Sequence, residues 1–345
     1  MSKIREDYAD PRRTVIISSA AGNVQADDFL GPREVTWVTL TSGGVLSRSF
    51  ENKPPKITSE IRDAPLAMVA SNTAHTLYLI TTSGETATVP VKLIQQAHDP
   101  AQGVPFPTLC PLTKDAQIAY VLSLPPELEE GYLAMLTEQG EVKRLRLVDV
   151  PGLSANTFKL MDVEPEDRLL WAGCVNDESE MIVVTYQAQA IRFKMSEVRP
   201  TGLSAGGMRA VKLMGQRDRV IGAGIAADQM QVWVITDTGV AKSSPVQEYP
   251  TQGRAGSGVI TMKLPKDAGG LAAAVVGQAD DQIVVVTDKG KPKSMRINAA
   301  PQSGRNTKGD YVISMGAKES VARVIKPQER VELPEAASEE TITEA

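Results

Sequence analysis

Two cysteines and two histidines in 345 residues leave little material for metal or thiol chemistry. Cys110 and Cys174 lie far apart in apolar runs, which points to reduced, buried thiols and not to a disulfide framework. Without a Cys or His cluster a zinc site is excluded, and no metal or cofactor is expected. Aromatics make up 4% of the chain, too few to stack the bases of single strands. No apolar run reaches the length of a membrane span. The opening MSKIREDYAD has no apolar core of the kind a secretion signal needs, so a cytoplasmic protein is expected. No glycine-rich stretch ends in Gly-Lys-Ser/Thr, so a P-loop is absent. No nucleophile, base and orienting group stand together. Asp280 and Asp281 precede a strand and read as turn residues, not as an acid pair.

Charge is unevenly spread. The formal net charge is -5. Residues 1–174 carry 16 basic and 22 acidic side chains, and residues 175–330 carry 21 and 15. The end, VELPEAASEETITEA (331–345), has five glutamates and no base. A basic second half followed by an acidic tail hints at nucleic-acid contact, although a solvated surface would also read this way.

The chain repeats. Its unit is an apolar strand, a Thr-x-x-Gly turn and a second strand beginning near a basic residue. The clearest copies are QVWVITDTGVAKSS (231–244) and QIVVVTDKGKPKSM (282–295). YLAMLTEQGEVKRL (132–145) and EMIVVTYQAQAIRF (180–193) follow, the latter with Ala188 in the glycine place. VTWVTLTSGGVLSRSF (35–50) and TLYLITTSGETATV (76–89) are weaker copies. Val, Ile, Leu and Trp at these positions read as half-buried strands, and Asp-Thr-Gly or Asp-Lys-Gly supplies the positive φ of a hairpin turn. Six such hairpins, the later ones about 50 residues apart, predict a radial β array in which neighbours cover each unit's open apolar face. Trp37, Trp171 and Trp233 lie in these runs and read as core.

A second motif recurs at the same spacing: GRAGSGV from Gly253, GRNTKGD from Gly304, GLSAGGM from Gly202 and the degraded GLSANTF from Gly152. A catalytic nucleotide loop occurs once per domain, so this one reads as a connection between repeats. Repeated backbone N–H groups and cations would suit a periodic polyanion, and duplex DNA is one. Arg254, Arg305 and Lys308 lie in these loops, with Lys263 close beyond. Arg199, Arg209 and Lys212 surround the copy at Gly202. Lys242 and Lys293 each follow a turn glycine by three residues. They read either as DNA contacts or as edge lysines that block sheet-to-sheet association. Lys143 sits at the same place, but with Arg144, Arg146 and nearby glutamates it reads as a solvated face.

These residues resemble the C-terminal domain of bacterial DNA gyrase A and of its counterpart in topoisomerase IV. IREDYADPRRTVI (4–16) resembles the segment entering that domain, AIRFKMSEVRPTG its fourth repeat, and TGVAKSSPVQEYPTQGRAGSGVITMKL with SGRNTKG its fifth and sixth. The resemblance spans residues 4–330 and is tightest in the last three repeats. It implies an all-β, six-bladed β-pinwheel over 31–330, a lead-in at 1–30 and a disordered acidic tail at 331–345. It also implies a nucleoid-associated module that bends duplex DNA around a basic rim and works with the catalytic subunits of a type IIA topoisomerase.

The chain departs from that family in three places. It has no counterpart of the breakage-reunion part and its tyrosine, so no catalytic residue is expected. Where gyrase carries a Gln-Arg-Arg-Gly-Gly-Lys-Gly box, this chain reads SFENKPPKITSEIRDAP (49–65). QQAHDPAQGVPFPTL (95–109) carries no Arg or Lys. The basic rim is therefore expected in blades three to six, and the acidic first half leaves open a propeller that docks on a topoisomerase or another chromosome protein.

Overall fold

A threonine and a residue in left-handed backbone build every hairpin of the protein in the same way. In the computed structural model, which describes residues 33–127, 130–316 and 318–329, each turn residue donates its N–H to the threonine carbonyl three positions earlier. The six bonds are Gly44 to Thr41, Gly84 to Thr81, Gly140 to Thr137, Ala188 to Thr185, Gly239 to Thr236 and Gly290 to Thr287, at 2.9–3.1 Å. All six turn residues have positive φ, from 58° at Ala188 to 86° at Gly239. The threonine hydroxyl accepts the next N–H in four of the hairpins, as at Thr236 from Val240 (3.0 Å). Each hairpin also carries a register shift at or next to this threonine on the side of its third strand. The lead-in 1–30 and the tail 331–345 lie outside the described residues.

Among the described residues, blades one to five are each a hairpin plus two further strands. In blade five, Gln231–Thr236 pairs with Val240–Pro245 on one side and with Leu271–Gly277 on the other. A two-residue strand, Asp310–Tyr311, then pairs with the outer side of Val240–Pro245. That short strand follows hairpin six in sequence, so the chain passes through the next blade before returning to complete this one. Blades one to four are finished in the same way by Val104–Pro105, Phe158–Lys159, Met208–Arg209 and Val259–Ile260. Strand exchange locks neighbouring blades together.

The core lies between blades. Val232, Val234 and Tyr249 of blade five pack on Ile182 and Val184 of blade four, whereas Trp233 and Ile235 pack on Ile283 and Val285 of blade six. The first hairpin strand is therefore covered on both faces, and Gln231–Thr236 is buried at all six positions. The expectation of half-buried strands is corrected, because stacking on two sides removes the solvent face. Burying such a side chain stabilises the fold by roughly 1.5–3 kcal/mol. Trp37 and Trp233 are core residues, whereas Trp171 is only half-buried and tilts against Tyr120 on the inner strands.

The ring closes on its smallest cluster, where Ile57, Ala64 and Met68 meet Val284, Val286 and Ile325. Among the described residues, blade six has three strands. The segment after hairpin one takes the place of its fourth strand, held by a hydrogen bond from Ser294 Oγ to the Ile57 carbonyl (2.8 Å). Pro292–Arg296 is accordingly more exposed than its counterpart Val240–Pro245. Asp281 receives the Gln278 N–H and pairs with Lys326, and Asp280 pairs with Arg296, which bears out the turn reading. Both cysteines are free, and burial pushes the Cys174 thiol up to about 12.

Candidate nucleic-acid interface

The glycine-rich connections are the same structure repeated. After hairpin five, the Arg254 N–H donates to the Glu197 carboxylate (3.0 Å), and its guanidinium donates to the Arg209 carbonyl (2.9 Å). One repeat later the Arg305 N–H donates to Glu248 (2.7 Å) and its guanidinium to the Ile260 carbonyl (3.2 Å). Both arginines latch their connection to the preceding blade and are half-buried. The last glycine of each loop is required by close approach: a Cβ on Gly258 would stand 2.2 Å from the Ala190 carbonyl oxygen, and one on Gly309 2.3 Å from that of Ala241.

Beyond each loop the chain turns outward at one equivalent residue. The Lys212 N–H donates to the Gly256 carbonyl (2.8 Å), and the Lys263 N–H donates to the Thr307 carbonyl (2.9 Å). Both lysine side chains are exposed. The same backbone bond one repeat earlier is made by Asp162, to the Ala205 carbonyl (3.1 Å). There the sign is reversed, and Asp162 pairs with Lys159 at 2.8 Å. Arg199, Arg209 and Lys308 are exposed as well. Arg209 stands opposite Glu141 in the strand register, and its charge favours the ionised Glu141, which burial otherwise pushes up.

Lys242 is corrected. It is fully buried, and its Nζ donates to the carbonyls of Gly304 and Arg305 and to Thr307 Oγ1, so it is neither a surface cation nor an edge lysine. Lys143, expected on a solvated face, is also buried, with its Nζ on the carbonyls of Leu160, Leu203 and Ala205 at 2.7–2.9 Å. Arg144 beside it is buried over the Tyr132 ring, whereas Arg146 is exposed and pairs with Asp149. In blades three and five the connection leading into the exchanged strand covers these lysines. Blade six has no such strand among the described residues, so Lys293 stays exposed, its Nζ donating to the Val312 carbonyl (2.9 Å).

A family model described as DNA gyrase C-terminal domain, beta-propeller, matches residues 131–176, 179–227, 232–277 and 281–325, one repeat per blade from blade three to blade six. The chain belongs to this family. The DNA gyrase A protein of Dehalogenimonas lykanthroporepellens is 28% identical over 334 residues, covering 91% of this chain and 40% of that protein. Its Escherichia coli counterpart is 28% identical over 340 residues, covering 94% and 38%. The chain thus spans about two fifths of the length of these relatives. Among solved structures, the C-terminal domain of DNA topoisomerase IV superposes with a TM-score of 0.73 at 22% identity, covering 86% of this chain and 94% of that one. The DNA gyrase A C-terminal domain gives 0.68 at 19%, covering 85% and 99%.

Set on this gyrase-type fold, the exposed cations group by connection. Arg199, Arg209 and Lys212 flank the loop after hairpin four, Lys263 follows the loop after hairpin five, and Lys308 lies in the loop after hairpin six. Two further exposed cations, Lys289 and Lys291, flank the Gly290 turn beside Lys293. The run Asp-Lys-Gly-Lys-Pro-Lys carries that signal in addition to marking a turn. Arg192, which no motif marks, is an internal clamp on Glu180 and on the Val246 and Tyr249 carbonyls.

Proposed function

We propose that this chain is a non-catalytic, sequence-independent module that binds and bends duplex DNA for a type IIA topoisomerase, acting through cations on the outer connections of blades three to six. The observation that carries the reading is the pair Lys212 and Lys263. Identical backbone bonds in successive connections present an exposed ammonium at equal steps, which suits a polymer whose phosphates recur. Arg199, Arg209 and Lys308 extend the series, and Arg254 and Arg305 fix the loops while keeping their charge near the surface. Each neutralised phosphate releases counterions, and several contacts on a curved rim offset a bending cost of roughly 1–6 kcal/mol for a short site. Strand cleavage and ATP use belong, in this reading, to partner subunits.

Changing Lys212, Lys263 and Lys308 together to Glu is the direct test. Duplex affinity should fall sharply at low salt, and the slope of log affinity against log salt should flatten by roughly 0.9 for each lost contact. Lys53, Lys56 and Arg62 are equally exposed but belong to the segment after hairpin one. Their reversal should do much less. Equal losses in the two triple variants would defeat the assignment to the later blades.

A second reading, a scaffold docking on a topoisomerase or another chromosome protein, is favoured by apolar exposure in the first half. Phe50, Leu93, Val148 and Leu153 are all more than half exposed and lie in the connections after hairpins one to three. Retention of a catalytic topoisomerase subunit on the chain, abolished by Leu93→Ser with Val148→Ser and indifferent to the rim lysines, would establish it.

A further inference from the structure

Two buried lysines stand directly beneath loops that present rim cations. Lys242 projects from the outer strand of hairpin five, is 0% exposed and meets Gly304, Arg305 and Thr307 of the loop after hairpin six. Lys143 projects from the outer strand of hairpin three, is 1% exposed and meets Leu203 and Ala205 of the loop after hairpin four, together with Leu160. An ammonium has three donors, and each of these has three oxygen partners. The acceptors on the two loops correspond: Arg305 matches Leu203, and Thr307 matches Ala205, each about 100 residues apart. A loop of this composition has few side chains of its own to fix it, so a buried cation gathering its carbonyls takes over that role.

The other blades mark the alternatives. Hairpin four carries buried Ile191 at this place, and the loop facing it depends on the Arg254 latch. Hairpin two carries buried Ala87, and its loop is held by Thr88 Oγ1 exchanging hydrogen bonds with the Ser154 backbone. The loop at Gly202 has Leu203 where the loops at Gly253 and Gly304 have arginine, so it lacks the latch and rests on Lys143. A buried charge is retained at a desolvation cost. An apolar residue fills the same place in hairpin four, so filling space alone does not call for lysine.

We infer that Lys143 and Lys242 are positioning residues, each setting the shape of one rim loop from inside and thereby the presentation of Arg209 and Lys212 by the first loop and of Arg305 and Lys308 by the second. This rests on the DNA-binding reading above, and its two parts can be separated.

Lys242→Met and Lys143→Met keep the stem and remove the donors. Thermal melting first establishes that each variant is folded at the working temperature, and each serves as the other's check. Amide hydrogen exchange, read without DNA, should then quicken by at least tenfold in 304–309 for Lys242→Met and in 202–207 for Lys143→Met, and in no other loop. Duplex binding supplies the second readout. Lys242→Met should weaken it several-fold, and the combination with Lys308→Ala should cost less than the sum of the two, because both act through one loop. The combination with Lys212→Ala, on another loop, should be additive. Unchanged exchange in both loops, or additive effects for Lys242 with Lys308, would overturn the positioning role. Local quickening of exchange, with duplex binding indifferent also to the Lys212, Lys263 and Lys308 reversal, would instead overturn the DNA reading and leave these lysines as loop anchors only.

Discussion

The loops after hairpins three and five differ in almost every side chain and serve the same place in the fold. The first reads Gly-Leu-Ser-Ala-Asn-Thr, with Leu153 exposed and no neighbour within 4 Å of a Cβ on Gly152. The second reads Gly-Arg-Ala-Gly-Ser-Gly, with Arg254 latched to the preceding blade and Gly258 pressed against the Ala190 carbonyl. Each delivers a two-residue strand to the outer side of the preceding blade. Backbone pairing is what the fold requires of the connection, so side chains there are free to carry charge or to lose it. The same freedom appears just beyond, where Asp162 in the early copy becomes Lys212 and Lys263 in the later ones.

The sharpest way to break this comparison is to place a Cβ on each loop. Gly258→Ala should destabilise the protein by about 3 kcal/mol, through a contact at 2.2 Å and a φ of +72°. Gly152→Ala should stay within about 1 kcal/mol of the parent, since its site is open. Chemical denaturation measures both, and equal costs would show that the close approach of Gly258 to the Ala190 carbonyl does not constrain the loop.

The two buried lysines predict a pH dependence of stability. Burial pulls Lys242 down to about 8, opposed by Glu248 and reinforced by Arg305, and pulls Lys143 down to about 8, opposed by Asp162. In the unfolded chain both titrate near about 10.4. Between these values the unfolded state binds more protons, so stability rises with pH. The contribution is complete above about 10.4 and is lost as pH falls through about 8. The slope is at most about 1.4 kcal/mol per pH unit for each lysine. Denaturation of the parent and of the Lys143→Met, Lys242→Met double variant across roughly pH 7.5–10 should show the parent's stability rising with pH relative to the variant's.

Grafting tests whether the early blades lack only charge. Asp162→Lys restores the later chemistry at an equivalent backbone position. It should tighten duplex binding a few-fold at low salt and steepen the salt slope by roughly 0.9. No change in either would mean that the early connections differ in position as well as in sign.

The smallest effect is expected from deleting residues 331–345. An acidic segment tethered to a DNA-binding module would compete with DNA phosphate at high effective concentration. Deletion should tighten binding modestly at low salt, and the gain should fade as screening grows. Equal affinity of the two forms at low salt would reject the competition.

Periodicity made much of this protein legible from its residues. Thr-x-x-Gly marks a hairpin because the threonine carbonyl and hydroxyl and the positive φ act within four residues of one another, and local geometry of that kind repeats wherever the motif does. The glycine-rich copies marked connections for the same reason, and the shift from acidic to basic composition marked where cations accumulate. Lys143, Lys242 and Lys293 occupy one position of one motif, and nothing local distinguishes them. The first two are covered by the connection that leads into an exchanged strand, from some 60 residues downstream, and the third lies in blade six, which has no exchanged strand among the described residues. Burial of a strand's outer face depends on which distant segment packs beside it, and that is decided by tertiary pairing, not by local sequence.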